Sequence, residues 1–261
     1  MKISDLFSVQ GKVAVVTGGS RGIGEMIAAG YLINGAKVYI SSRKKDQCDA
    51  TAKRLSETYG AECISIPANL SELSGIESLV AELTKREDHI DILVNNAGAT
   101  WGAPAEDYPL EAWDKVMNLN IRGYFLLCQQ VGKLSMIPRK GGHIVNIASI
   151  SGLGGNPPDL QMVAYNTSKG AVINFTRTLG AEWGKYNITV NSICPGFFPS
   201  RMTQGALAEH GEALASHAPL GRLGDDEDLK GLCALYASDA GKHITGQWLA
   251  VDGGVSIVTG G

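Results

Sequence analysis

The chain has 261 residues and a formal net charge of −3; 44% of residues are hydrophobic and 19% charged, with 33 Gly and 9 Pro. That much apolar surface offsets chain entropy and excludes intrinsic disorder. The slight acidic excess excludes a phosphate-tracking nucleic-acid binder, which needs surplus Lys and Arg.

The length suits one large α/β domain or two small ones. Five cysteines (Cys48, Cys63, Cys128, Cys194 and Cys233) are scattered without a Cys-x-x-Cys pair. They read as buried free thiols in a reducing compartment. No His-Glu-x-x-His occurs, so no catalytic metal is expected. The opening MKISDLFSVQGK is broken by Asp5 and lacks the apolar core of a signal peptide. No apolar run approaches the ~18 residues of a membrane span. A soluble cytoplasmic protein is the expectation.

In chain order, Val13 to Thr17 is apolar throughout and predicts a buried parallel strand. A helix follows from about Ile23 to Asn34, stopped at Asn34-Gly35. Lys37 to Ser41 predicts a second strand, about Asp46 to Tyr59 a helix, and Cys63 to Pro67 a third strand. A helix covers about Ser71 to Arg86 with Ser71 as N-cap, and Ile92 to Asn95 is a fourth strand. Helical pattern runs about Leu110 to Lys133, as one helix or two meeting near Asn120. His143 to Ile147 is strand five, about Tyr165 to Lys185 a long helix, and Thr189 to Ile193 strand six. Asp225 is expected to cap a helix ending near Ala237, with the acidic run Asp225 to Asp228 favoured by the helix N-terminus. Trp248 to Val251 is strand seven.

This alternation implies right-handed βαβ crossovers and one doubly wound parallel α/β sheet of about seven strands flanked by helices. The stretches about 151–162 (SGLGGNPPDLQM) and 197–218 read as irregular loops. Ligands of open α/β sheets bind beyond the carboxyl ends of the strands, so both are expected to contact substrate.

Between strand one and helix one stands Thr17-Gly18-Gly19-Ser20-Arg21-Gly22-Ile23-Gly24. Glycine permits the sharp turn and lets backbone N–H groups approach a pyrophosphate, and the helix N-terminus adds a favourable dipole. The end of strand two reads Ser41-Ser42-Arg43-Lys44-Lys45, with no carboxylate before Asp46. An acidic residue there would bind a ribose 2′-hydroxyl. Arg21 and Arg43 instead suit a 2′-phosphate, which predicts NADP(H) over NAD(H). Lys44 and Lys45 fit solvated surface.

Tyr165 and Lys169 are four apart on one helix face. An ammonium ~5 Å from a phenol, at an effective dielectric of ~20, contributes about 3 kcal/mol towards ionising it. Such a couple is a workable proton donor to a carbonyl oxygen that accepts hydride. Ser149, after strand five, is placed to donate to the same oxygen; Ser151 is the rival.

These marks together resemble the short-chain dehydrogenase/reductase family over Gly11 to Gly254. They are the glycine loop, Asn95-Asn96-Ala97-Gly98, Asn120 before Ile-Arg-Gly, Ser149, Tyr165-Asn-Thr-Ser-Lys169, Asn191, Pro195-Gly196 and Asp252-Gly-Gly254. The resemblance implies a single-domain Rossmann-type fold and an Asn120–Ser149–Tyr165–Lys169 tetrad. Tyr165 would be general acid in reduction and base in oxidation. Lys169 would bind the nicotinamide ribose and lower the tyrosine pKa, Ser149 orient the carbonyl, and Asn120 hold a relay water. Gly18, Ser20, Arg21, Gly22, Ile23, Gly24, Ser42, Arg43, Asn96, Ala97 and Gly98 would line the cofactor, with Pro195, Gly196, Phe198 and Ser200 near the nicotinamide.

Three departures stand out. Asn69-Leu70 replaces the family's Asp beside the adenine, where Asn69 is expected to bond the ring. Ser200 replaces Thr. Ser149 and Tyr165 lie unusually far apart, with the extra residues in the Gly-Asn-Pro-Pro loop. Asn95 to Ala103 and Pro195 to Met202 look like bacterial NADPH-dependent β-ketoacyl reductases, with Trp101, Leu153, Phe197 and Phe198 as pocket walls or core. The resemblance implies a ketoreductase acting on a 3-oxoacyl or keto ester, commonly a homotetramer. The alternatives are an alcohol, sugar or steroid dehydrogenase working in oxidation, and a non-catalytic NADP(H)-binding sensor.

Overall fold

The computed structural model describes residues 2–200 and 203–258; Arg201 and Met202, in a segment singled out above, fall outside them. Seven strands form one parallel sheet: β1 Val13–Thr17, β2 Lys37–Ser41, β3 Cys63–Ser65, β4 Ile92–Asn95, β5 Gly142–Ile147, β6 Ile188–Pro195 and β7 Trp248–Val251. Their order is β3-β2-β1-β4-β5-β6-β7. The chain therefore reverses its direction of travel across the sheet between β1 and β4, and such a switch point opens a crevice at the strand ends.

Helices cover both faces: α1 Ile3–Leu6, α2 Gly22–Ile33, α3 Lys45–Tyr59, α4 Leu73–Arg86, α5 Leu110–Met117, α6 Gly123–Val131, α7 Ile137–Arg139, α8 Val163–Trp183, α9 Gln204–His217 and α10 Lys230–Ala237. Strand side chains alternate between the two layers. Ala14, Val16, Ile92 and Val94 join a core with Ile27, Tyr31, Leu55 and Cys233 from α2, α3 and α10. Val13, Val15 and Leu93 join a second with Leu79, Leu83, Leu127 and Leu179 from α4, α6 and α8. Each fully buried aliphatic side chain contributes roughly 1.5–3 kcal/mol, so the two apolar layers carry most of the stability. Among the described residues no helix is long and apolar enough to cross a membrane.

The structure corrects several expectations. Strand three ends at Ser65, two residues before Pro67, although the N–H groups of Ile66 and Ala68 still donate to Ile40 O and Ser42 O. Ser71 does not cap α4: the helix starts at Leu73 after Glu72, and the Ser71 hydroxyl donates to Asn69 Oδ1 at 2.8 Å. The helical run from Leu110 continues to Arg139, with π-helical segments at Asn118–Arg122 and Gly132–Met136. Asp225 does not cap α10, which begins at Lys230. The acidic run serves Arg222 instead: its guanidinium donates to both oxygens of Asp228 at 2.6 and 2.7 Å. Part of the segment 197–218 is α9 rather than loop, its two interior glycines, Gly205 and Gly211, having hidden the pattern.

At the amino-terminal edge of the sheet, partly buried His143 sits 3.3 Å from Lys12 Nζ and 2.9 Å from Thr189 Oγ1. Lys12 also donates to Ala237 O. The ammonium can only donate, so His143 Nε2 accepts and Nδ1–H faces Thr189. Burial, with Lys12 nearby, holds the His143 pKa down to about 4. The unfolded chain binds that proton near pH ~6.5, so stability is complete above that value and is lost as pH falls towards 4. The thermal midpoint is expected to drop over that window, and to drop less steeply in His143→Gln. Parallel curves for the two proteins would assign the acid sensitivity to other groups.

Candidate active site

The register of the sheet brings the carboxyl ends of six strands to one edge. Thr17 pairs with Ser41, Asn95 with Asn146, and Pro195 with Val251. A cleft of about 400 Å³ opens there.

The turn from β1 into α2 is shaped by glycine. Gly18 has φ +66°, and a Cβ on it would stand 2.7 Å from Asn96 Nδ2. Gly22 has φ +53°. Both conformations disfavour any other residue. Asn96 straps the turn from behind, its Nδ2 donating to Thr17 O at 2.8 Å. Thr17 Oγ1 in turn accepts from the N–H groups of Asn96 and Ala97 at 2.8 and 3.1 Å, and donates to Val94 O. No side chain caps α2. Its first N–H groups and its dipole are thereby directed at the cleft, a ready site for an anion.

Gly18, Ser20, Arg21, Gly22, Ile23, Gly24, Ser42, Arg43, Leu70, Asn96, Ala97, Gly98, Tyr165, Lys169, Pro195, Gly196, Phe198 and Ser200 all line this cleft, as does Ser149. Ser151 does not; its N–H donates to Ser149 Oγ at 3.1 Å. Phe198 is also core, 2% exposed. Two expected residues stand apart from the lining. Asn69 is not in it, because its amide is spent locally: Nδ2 donates to Glu72 at 2.6 Å and Oδ1 accepts from Ser71. Asn120 is fully buried beneath it. Its Oδ1 accepts from Ala99 N at 2.8 Å, and its Nδ2 donates to Ala99 O and Ser168 Oγ, each at 2.9 Å. Ser41, Lys44, Gln47 and Thr203 line the cleft and were not among the sequence candidates. The signal for Lys44 and Gln47 was their place just past β2. Thr203 closes a turn onto Ser200 that the sequence does not announce.

Lys169 is 3% exposed, a charged side chain inside the protein. Its Nζ donates to Ile147 O at 2.7 Å and lies 5.6 Å from the Tyr165 ring centre and 5.8 Å from that of Tyr124. Burial lowers its pKa to about 8. Tyr165 departs from expectation in sign. Burial of its phenol raises the pKa, and a hydrogen bond with Ser149 opposes that rise. The ammonium is committed to a carbonyl and sits over the tyrosine ring, so desolvation wins.

A family model described as enoyl-(acyl carrier protein) reductase matches residues 18–256. A 3-oxoacyl-[acyl-carrier-protein] reductase of rhamnolipid biosynthesis from Pseudomonas aeruginosa is 42% identical over 254 residues, 95% of this chain and 97% of that protein. The chain belongs to the short-chain dehydrogenase/reductase family. A gluconate 5-dehydrogenase from Gluconobacter oxydans is 35% identical over 98% of this chain and 99% of its own length. Among solved structures, the RhlG/NADP active-site complex of Pseudomonas aeruginosa superimposes with TM-score 0.89 at 41% identity, covering 97% of this chain and 99% of that one. A gluconate 5-dehydrogenase from Burkholderia cenocepacia in complex with NADP and tartrate gives TM-score 0.92 at 31% identity, covering 99% and 100%. Family membership makes the chain an oxidoreductase acting on CH–OH groups.

Removing the Asn120 amide strands the Ala99 N–H and C=O and one Ser168 partner. Asn120→Ala is expected to cost about 2–3 kcal/mol in denaturant unfolding. A loss below ~0.5 kcal/mol would show that water replaces the side chain without penalty.

Proposed function

We propose that the protein reduces a ketone, of the 3-oxoacyl or keto-ester class, to a secondary alcohol with NADPH, using Tyr165 as proton donor. The observation that carries this reading is the meeting of the Tyr165 phenol, Ser149 and buried Lys169 at one end of a cleft whose other end is a glycine turn.

The coenzyme fits the residues present. The glycine turn leaves room where a Cβ would collide, and α2 offers its N-terminus to a pyrophosphate. The hydroxyls of Ser41 and Ser42 are buried without partners beside Arg43 and Lys44. A 2′-phosphate supplies acceptors for those hydroxyls and charge for the cations. When bound, the dinucleotide supplies hydride. Lys169 and Asn96 to Gly98 would hold its ribose end, and Pro195-Gly196 with Ser200 its amide end.

The residues of the chain do the rest. Ser149 donates to the carbonyl oxygen and polarises it. Tyr165 delivers a proton to that oxygen as the alcohol forms. Lys169 keeps an ammonium close enough to replenish the phenol. The Asn120 side chain is engaged, so its part in a proton path goes through the backbone of the π-helical segment Asn118–Arg122, where the regular helical pairing of carbonyls is interrupted.

Partly buried Leu153 and exposed Trp101 give the substrate side apolar surface, which supports an acyl chain over a polyol. Phe125 on α6, with Trp248 and Leu249 on the edge strand β7, exposes apolar area suited to a second copy of the chain, and supports a homo-oligomer, a tetramer in the fullest form of the proposal. Five buried free thiols suit a reducing compartment such as the cytoplasm.

With NADPH and a panel of ketones, keto esters are expected to turn over. Tyr165→Phe is expected to lower kcat about a thousandfold while NADPH still quenches tryptophan fluorescence. Turnover confined to polyols or sugars would favour the oxidative dehydrogenase; biology undisturbed by Tyr165→Phe would favour the sensor. Arg43→Ala is expected to raise the KM for NADPH about tenfold or more and that for NADH less than twofold, since one charge-assisted contact is worth roughly that factor. Equal effects on both would remove the assigned preference.

A further inference from the structure

Ser149 opens one loop and Tyr165 stands in the first turn of the helix that follows it, and the loop is fastened at few points. After the 3-10 turn Ile150–Gly152, the backbone presses against the catalytic helix: a Cβ on Gly152 would lie 2.6 Å from the carbonyl carbon of Lys169. Beyond it, Gly154 and Gly155 have open space, and Pro157 and Pro158 have no N–H to give. Asn166, the residue after the catalytic tyrosine, supplies what the backbone does not. Its Oδ1 accepts from Asn156 Nδ2 at 3.0 Å, and its Nδ2 donates to Gly154 O at 3.3 Å. Asn156 also donates to Leu160 O at 3.2 Å. The loop then crosses the segment after β4, where Ala103 N donates to Gln161 O at 3.0 Å and Thr100 Oγ1 to Met162 Sδ at 3.3 Å. Exposed Trp101, Leu160 and Val163 stand on these two crossing segments.

We propose that Asn166 is a positioning residue: by clasping Gly154 and Asn156 it holds the crossing segments as one apolar wall and so sets selectivity for the acyl chain of the substrate, a claim that rests on the keto-ester reading above. The clasp needs a donor and an acceptor on one short side chain. Asp has no donor, and Ser does not span both partners. Asn166 touches neither Ser149 nor Lys169 through its side-chain bonds, so it acts on binding of the distal chain and not on proton transfer.

The test compares the wild type, Asn166→Ala, Asn156→Ala and the double variant on ethyl 3-oxobutanoate and ethyl 3-oxooctanoate with NADPH, together with amide exchange of Ala103 in the chain without coenzyme. One or two lost hydrogen bonds correspond to about a tenfold effect. Either single variant is expected to raise the KM for the longer ester about tenfold, to leave the shorter ester within twofold and kcat within threefold, and to speed Ala103 exchange. The double variant is expected to match the singles, since one clasp is broken once. Equal losses on both esters, no loss on either, or unchanged exchange would overturn the proposal. Should the wild type reduce neither ester, the keto-ester reading fails and the selectivity claim with it, while the exchange rate reports on the clasp separately.

Discussion

A buried ammonium organises this molecule. Lys169 is almost wholly removed from water and has one carbonyl, Ile147 O, within hydrogen-bonding distance. Moving such a charge out of solvent is costly unless oxygen atoms and ring faces replace the water. The end of β5 and the faces of Tyr124 and Tyr165 are the replacements here. Every element that touches this group is constrained in turn. Gly152 must lack a side chain for the β5–α8 loop to reach the helix backbone. Ser168 donates to Tyr165 O and receives from Asn120, so the turn carrying the tyrosine and lysine is tied to the segment after β4.

The strand ends are aligned by a second set of buried polar groups. Asn95 donates to Asn146 Oδ1 and to Cys128 Sγ, Asn146 donates to Thr176 Oγ1, and Ser192 Oγ donates to Asn146 O. These bonds run across β4, β5, β6 and α8 at the depth where the cleft begins. Asn95 Oδ1 is left buried without a partner, but the bonds that are made tie these elements together, and a slipped strand would leave further buried groups unpaired. The apolar layers hold the sheet together without preferring one register so sharply. The polar ladder makes the register specific at the edge where Ser149 and Tyr165 must meet.

Against this background, what sequence could and could not reveal follows from the range of each interaction. The strands, the glycine turn and the four-residue spacing of Tyr165 and Lys169 are local patterns, and the structure has them where the residues imply. Ser71 and Asp225 have the chemistry of caps, yet Asn69 and Arg222 take them for other bonds. Lys44 faces the cleft, while Lys45 is solvated and pairs with Asp49 at 2.5 Å. Asn69 looks like an adenine contact until Glu72 is seen to hold its amide. In each case the residue type was read correctly, and a neighbour two to four residues away took the side chain for another bond. The π-helical interruption at Asn118–Arg122 is of a different kind. It accompanies the bonds of Asn120 to Ala99 and Ser168, residues that 21 and 48 positions separate from it.

The tyrosine shows how such a long-range effect changes chemistry. Spacing alone predicts a phenol loosened by its neighbouring ammonium. In the folded chain the ammonium points at Ile147 O and the phenol is desolvated, so its proton is held more firmly than in water. Reduction of a carbonyl consumes a protonated phenol and oxidation of an alcohol begins from a phenolate. Desolvation favours the first form across the whole neutral range. Lys169, lowered to about 8, is still mostly charged at neutrality. Burial therefore keeps the resting phenol protonated, at the cost of a weaker acid, while two buried serine hydroxyls without partners stand at the other end of the cleft.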